Sequence, residues 1–128
     1  MNRYVLDASA LLALLHGEKG SEELTPELMS FSVACTVNLA EVHSKLVKNG
    51  VQPEDAWEAA IATVREVVPF TSEHARLAGG LVPHTRSLGL SLGDRACLAV
   101  GLELNVPVIT ADQSWKSLRL GIPIRVIR

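Results

Sequence analysis

The chain has 128 residues, of which 48% are hydrophobic, and its 12 Lys and Arg against 14 Asp and Glu give a formal charge of −2. This composition excludes a disordered chain, and no apolar stretch approaches the roughly 20 residues that span a bilayer. The near-neutral balance also sets aside a nucleic-acid binder that works by bulk charge alone.

In chain order, "RYVLDA" (3–8) reads as a strand and "SALLALLHG" as the helix after it, ended by Gly17. "SEELTPELM" (21–29) is a short helix or helical turn broken near Pro26. "FSVACTV" (31–37) is a second strand, with Val33, Cys35 and Val37 alternating. "NLAEVHSKLVKNG" (38–50) is a helix with an apolar stripe of Leu39, Val42, Leu46 and Val47, stopped by Asn49-Gly50. Pro53 opens a further helix, "PEDAWEAAIATVREV", from its permitted first turn. "VVPFT" (67–71) is a short strand whose proline marks a sheet edge or strand end. "SEHARLAGGLVPHTRSLG" is a helix weakened at Gly79-Gly80. "SLGDRACLAVGLEL" (91–104) is another, and "VPVITA" (106–111) is a strand. "DQSWKSL" makes a helical turn, and "IPIRVIR" (122–128) alternates as a last strand. This alternation predicts one α/β domain over 1–128, with a mainly parallel sheet covered on both faces. The start, "MNRYVLDAS", is a poor signal peptide, so a cytoplasmic protein is expected.

Cys35 and Cys97 lie far apart in apolar segments and read as reduced core cysteines. The four histidines show no zinc spacing. The acids carry more information. Asp7 ends the first strand and Asp112 the fourth. Glu41 falls in the first turn of the helix after the second strand, and Asp94 in the first turn of the helix before the fourth. All βα junctions of a parallel sheet open at one edge, where ligands bind in such folds.

Each acid also has a purely structural reading. Asn38-x-x-Glu41 and Ser91-x-x-Asp94 are shaped like capping boxes, Asp112 like an N-cap and Asp7 like a turn residue. As a set they read differently, because Asp7 and Asp94 are embedded in the most apolar parts of the chain. A like-charged pair ~4 Å apart costs about 4 kcal/mol at an effective dielectric of ~20. Such a cluster is tolerable with protonation or a bound cation, and an all-oxygen donor set suits Mg²⁺ or Mn²⁺.

The segments "YVLDASALLALL", "NLAEVHSKL", "LSLGDRACLAVG" and "VPVITADQSW" together resemble the PIN domain, and more narrowly the VapC-type toxin ribonucleases of prokaryotic toxin–antitoxin pairs. The resemblance covers essentially the whole chain. It implies a three-layer α/β/α sandwich with an acidic metal pocket in which Asp7, Glu41, Asp94 and Asp112 match the family acids. Ser9 and Thr110 match small hydroxyl residues that support that pocket. Trp115 stands where the family more often has phenylalanine. The implied activity is Mg²⁺- or Mn²⁺-dependent hydrolysis of RNA phosphodiesters by a metal-activated water, leaving 5′-phosphate and 3′-hydroxyl ends.

Arg86, Arg95, Lys45 and the acid-free tail after Asp112 are candidates for contacts to the RNA backbone. The aliphatic surface of "ALLALL" and "VHSKLVKNG" suits a homodimer and the tail of a cognate antitoxin, which is how family members use such surfaces. Two other readings stand beside this one. An Asp-nucleophile phosphatase or phosphotransferase wants a second acid two residues after the first, where this chain has Ser9. A non-catalytic α/β module would use the acids only as caps.

Overall fold

The computed structural model describes residues 2–128. Five strands form one parallel sheet: β1 (Tyr4–Leu6), β2 (Ser32–Cys35), β3 (Glu66–Val68), β4 (Val108–Thr110) and β5 (Ile124–Val126), in the order β3-β2-β1-β4-β5. The helices are α1 (Ala8–His16), α2 (Pro26–Met29), α3 (Thr36–Lys48), α4 (Pro53–Ala62), α5 (Ser72–Gly80), α6 (Val82–Thr85) and α7 (Leu92–Leu104), with 3-10 turns at Ser21–Glu23, Arg86–Leu88 and Gln113–Ser117. The α/β expectation is met.

Successive strand residues feed two separate cores. Leu6, Ala34 and Ile109 point to one face, where Leu11 of α1, Leu39, Val42 and Leu46 of α3, and Ala56 and Ala60 of α4 cover them. Val5, Val33, Cys35 and Val108 point to the other, against Ala96, Cys97, Leu98 and Val100 of α7 and against Trp115. Residues on both faces are therefore buried, which is why the strands read as continuous apolar runs. Gly101 lets α7 approach β4, because a Cβ there would collide with Val108.

The chain runs outward from β1 to β2 and β3, then crosses back to β4 and β5. The switch point thus lies between β1 and β4, where Leu6 pairs with Ile109. The edges are short. β3 is three residues long, ends at Pro69, and carries Glu66 in an ion pair with Arg3 at 3.0 Å. β5 follows Pro123, and its Arg125 pairs with Glu23 at 2.8 Å.

Several boundaries differ from the sequence reading, among them the helix from Pro53, which ends at Ala62 so that Glu66 and Val67 join β3. The second strand stops at Cys35, and Thr36 and Val37 already belong to α3. The third strand occupies Glu66–Val68 instead of 67–71, because Pro69 offers no amide for the ladder. The single helix expected over 72–89 is broken after Gly80 into α5, α6 and a 3-10 turn, with Pro83 inside α6.

Candidate active site at the carboxyl edge of the sheet

Asp7 follows the last residue of β1 and is the N-cap of α1, its Oδ1 accepting from the Ala10 amide at 2.9 Å. It is only 3% exposed. Two hydroxyls also donate to it: Ser9 Oγ at 2.8 Å and Thr110 Oγ1 at 2.6 Å. Each hydroxyl in turn accepts a backbone N–H from the segment after β4. Ala111 donates to Ser9 at 2.9 Å and Asp112 donates to Thr110 at 3.0 Å. With a lone pair of each oxygen occupied, the single O–H proton is directed at Asp7. Burial pushes the Asp7 carboxyl from 3.8 up to about 6, outweighing the hydrogen bonds from Thr110, Ala10 and Ser9 that pull it down, and the charge on Asp94 pushes it further up.

Glu41 does not lie in the first turn of its helix. Because α3 starts at Thr36, Glu41 sits in the second turn and Asn38 is an interior residue, so the expected Asn38–Glu41 capping box does not form. Instead Asn38, fully buried, donates from Nδ2 to Glu41 Oε1 at 2.9 Å and to the Gly93 carbonyl at 3.0 Å. Its Oδ1 accepts from the Cys35 thiol at 3.1 Å. The Glu41 carboxylate occupies the space where a Cβ on residue 93 would lie. Burial raises the Glu41 carboxyl above its usual range, the Asn38 hydrogen bond opposes this, and repulsion from Asp94 adds to it.

Asp94 forms the capping box foreseen from the sequence. Its Oδ2 accepts from the Ser91 amide at 2.9 Å, and its own amide donates to Ser91 Oγ at 3.2 Å. Its charge acts on both Asp7 and Glu41, so these three carboxylates, from three separate segments, share one electrostatic neighbourhood. Asp112 is the exposed N-cap of the turn Gln113–Ser117, and its Oδ1 accepts from the Ser114 amide and hydroxyl at 2.9 and 2.8 Å. Its backbone amide joins the Asp7 network through Thr110, while its carboxylate turns to Ser114.

Among the described residues none of Asp7, Glu41 and Asp94 is ion-paired, and no three His, Cys, Asp or Glu side chains close into a ready metal cage. An open, oxygen-only donor set that is desolvated and self-repelling fits a hard divalent cation. Mg²⁺ in particular keeps several waters and takes one or two carboxylates plus substrate phosphates.

The candidate cations fare unequally. Arg95 donates to the Ala78 carbonyl at 2.9 Å and ties α7 to α5. In the tail, Arg119 donates to the carbonyls of Lys116 and Leu118, Arg125 pairs with Glu23 and Arg128 with Glu18, so most of that basic tail is tied into the fold. Arg86 is exposed on its 3-10 turn. Lys45 lines an open depression of about 490 Å³ together with Val37, Ala40, Glu41, Ser44 and Lys48, which brings it beside an acid of the site. Asn38 and Gly93 are the site residues that sequence reasoning missed. The available signals were a polar residue inside an apolar helix start and a glycine directly before Asp94.

Several solved toxin–antitoxin structures share this architecture. VapBC2 from Rickettsia felis, bound to a fragment of its promoter DNA, aligns with a TM-score of 0.74 at 16% identity over 98% of each chain. DNA-bound VapBC from Salmonella typhimurium gives 0.74 at 16% over 100% of both. VapC20 of Mycobacterium tuberculosis, a sarcin-ricin loop cleaving toxin, gives 0.73 at 18% over 94% of this chain and 98% of that one. At these identities the likeness is one of fold. No curated protein sequence matches the chain. The family model of the PIN domain matches residues 4–120, a span that holds all four acids and both hydroxyls around Asp7, and the chain belongs to the PIN-domain family.

Proposed function

We propose that the protein is a divalent-metal-dependent endoribonuclease and the toxin of a VapC-type toxin–antitoxin pair. What supports this reading is that Asp94 repels both Asp7 and Glu41, that none of the three is ion-paired among the described residues, and that burial raises Asp7, at the switch point between β1 and β4, and Glu41. Asp7 and Asp94 are the direct ligands for Mg²⁺ or Mn²⁺, with Glu41 and Asp112 completing the site directly or through water. When bound, the ion supplies positive charge at the scissile phosphate and a more acidic water.

The chain's own residues define the rest. Ser9 and Thr110 hold both Asp7 oxygens in place by donating to them. Glu41 keeps one carboxylate oxygen on Asn38 and presents the other, Oε2, beside Gly93 near Asp94. Lys45 and Lys48 line the depression that opens next to Glu41 and meet the phosphates of the RNA strand there.

The phosphatase reading loses ground on geometry. The position two residues after Asp7, where such an enzyme wants a second acid, holds Ser9, and that side chain is spent as a hydrogen-bond donor to Asp7. The non-catalytic module has one observation in its favour: Asp7, Asp94 and Asp112 all make real helix-capping bonds. Incubation of RNA with the purified protein in Mg²⁺ or Mn²⁺, in EDTA, and with the variants D7N and D94N separates these readings. Cleavage that survives chelation, or cleavage by both variants at the wild-type rate, sinks the metal nuclease.

The partners follow from the same reading. Several of the fold's solved examples are toxin–antitoxin complexes. Exposed Leu15, Val51, Trp57 and Ile61 supply apolar area for a second copy or for an antitoxin segment. No described helix is long and apolar enough to cross a membrane, and the proposed site of action is the cytoplasm. Light scattering of the purified chain and copurification with the product of the neighbouring reading frame test these two contacts.

A further inference from the structure

The geometry assigns Asn38 as the positioning residue for Glu41: a buried brace that fixes the α3 carboxylate relative to the α7 segment carrying Asp94. This rests on the metal-nuclease reading above and adds to it a residue outside the four acids and two hydroxyls. Asn38 is fully buried, and the described hydrogen bonds occupy both ends of its amide. The two Nδ2 hydrogens go to Glu41 Oε1 at 2.9 Å and to the Gly93 carbonyl at 3.0 Å, and Oδ1 accepts from the Cys35 thiol at 3.1 Å.

This set of partners fixes the orientation of the amide. A flipped side chain would place its oxygen against a carboxylate and a carbonyl, two acceptors, and its NH₂ against the thiol. The Glu41 and Gly93 acceptors therefore set the orientation, and the Cys35 thiol acts at one remove by donating to the amide oxygen that remains.

The brace joins elements that the sheet alone does not lock. Glu41 is one turn along α3 from Asn38, within i, i+3 reach. Gly93 is 55 positions away on α7, directly before Asp94. One planar amide thus ties Glu41 to the backbone beside Asp94, across the gap where these two carboxylates repel each other. The missing side chain at Gly93 completes the seat, since any Cβ there would collide with the Glu41 carboxylate. A purely structural tie between α3 and α7 would need neither the bond to Glu41 nor the vacant position at 93.

The test compares wild-type protein with N38A, C35A and C35S, measuring Mn²⁺ affinity by titration calorimetry and RNA cleavage as separate kcat and KM. N38A is expected to bind Mn²⁺ about 10- to 100-fold more weakly, the range found when the groups behind metal ligands are removed. Its kcat falls while KM for RNA stays at the wild-type value, because Asn38 is buried and touches no substrate. C35S, which keeps a donor for Oδ1, retains more Mn²⁺ affinity than C35A. Folded N38A with wild-type Mn²⁺ affinity overturns the assignment. If N38A does not fold, the cysteine pair decides it, and equal affinities for C35A and C35S overturn it. Wild-type protein that neither binds Mn²⁺ nor cleaves RNA would instead overturn the nuclease reading itself, a result distinct from either of these.

Discussion

Thr110 Oγ1 lies 2.6 Å from Asp7 Oδ2 although 103 positions separate the two residues. The bond crosses the switch point between β1 and β4, and the Asp112 amide completes it from behind. T110V keeps the shape and removes both the donor to Asp7 and the acceptor for Asp112. Metal-free T110V is expected to lose about 1–3 kcal/mol at pH 7.5, the usual cost of stranding buried polar partners. The loss shrinks near pH 4, where Asp7 is protonated. Urea unfolding at the two pH values measures this, and a loss independent of pH would show that Asp7 is not the group affected.

Asp7 itself lowers the stability of the metal-free fold. Its folded value is about 6, above the 3.8 of an unperturbed carboxyl, so between those values the native state binds more protons than the unfolded chain. Stability therefore falls as pH rises from about 4 through about 6, and the full cost, about 3 kcal/mol, persists above that. D7N removes the charge and is expected to be more stable than wild type in EDTA at pH 7.5, with the gap closing toward pH 4. Chemical denaturation across this range checks it. A destabilised D7N at neutral pH would mean that the hydrogen bonds to Asp7 outweigh its burial.

Gly93→Ala separates stability from activity. The added methyl meets the end of the flexible Glu41 side chain, which can swing aside, and alanine favours a helix over glycine by up to about 1 kcal/mol. Moving Glu41 strands the buried Asn38 Nδ2, which offsets that gain, so the melting temperature should hold or fall by a few degrees while RNA cleavage falls at least ~10-fold, in line with displacement of a group at the metal site. Thermal denaturation beside a cleavage assay reads both. Full activity in G93A would show that the seat of Glu41 is immaterial.

Trp115 is fully buried, and its indole Nε1 has no hydrogen-bond partner among the described residues. W115A should cost about 3–5 kcal/mol, as for other large-to-small core changes. W115F removes the orphaned N–H, a group worth about 1–3 kcal/mol when stranded, which offsets part of the lost packing. The phenylalanine variant is thus expected close to wild type in urea titrations, and a loss as large as that of W115A would contradict this.

For RNA contact, the lysines beside Glu41 are the group to test. Lys45→Glu and Lys48→Glu should each weaken RNA binding and reduce the slope of log affinity against log salt by about 1. Arg125→Ala, which breaks only the pair with Glu23, should leave that slope alone. Filter binding at several salt concentrations distinguishes them. An unchanged slope in both lysine variants would remove α3 from the RNA path.

The sequence was most legible where a local pattern determined the outcome. β1 and β4 announced themselves as apolar runs, and the acids closing them fell where a parallel sheet opens. The Ser91–Asp94 box formed as its spacing implied. Glu41 was misplaced by one turn because α3 starts earlier, at Thr36, within a run whose alternation imitated a strand. Other features depended on partners distant in sequence. Asn38 looked like a cap until Gly93 came into contact with it, and Arg125 looked like a free cation until Glu23, 102 positions away, paired with it. Pairings over such separations leave no periodic trace.

The sheet edges carry a consequence for how this protein is recognised. A partner strand that extends a sheet needs a run of free backbone donors and acceptors along an edge. Here β3 and β5 are each three residues long, one bounded by Pro69 and the other by Pro123, and both carry ion-paired side chains. Strand addition has almost no template on either side. A peptide partner would therefore have to bind the helices or the open carboxyl edge, with affinity built from side-chain contacts in place of a shared backbone ladder.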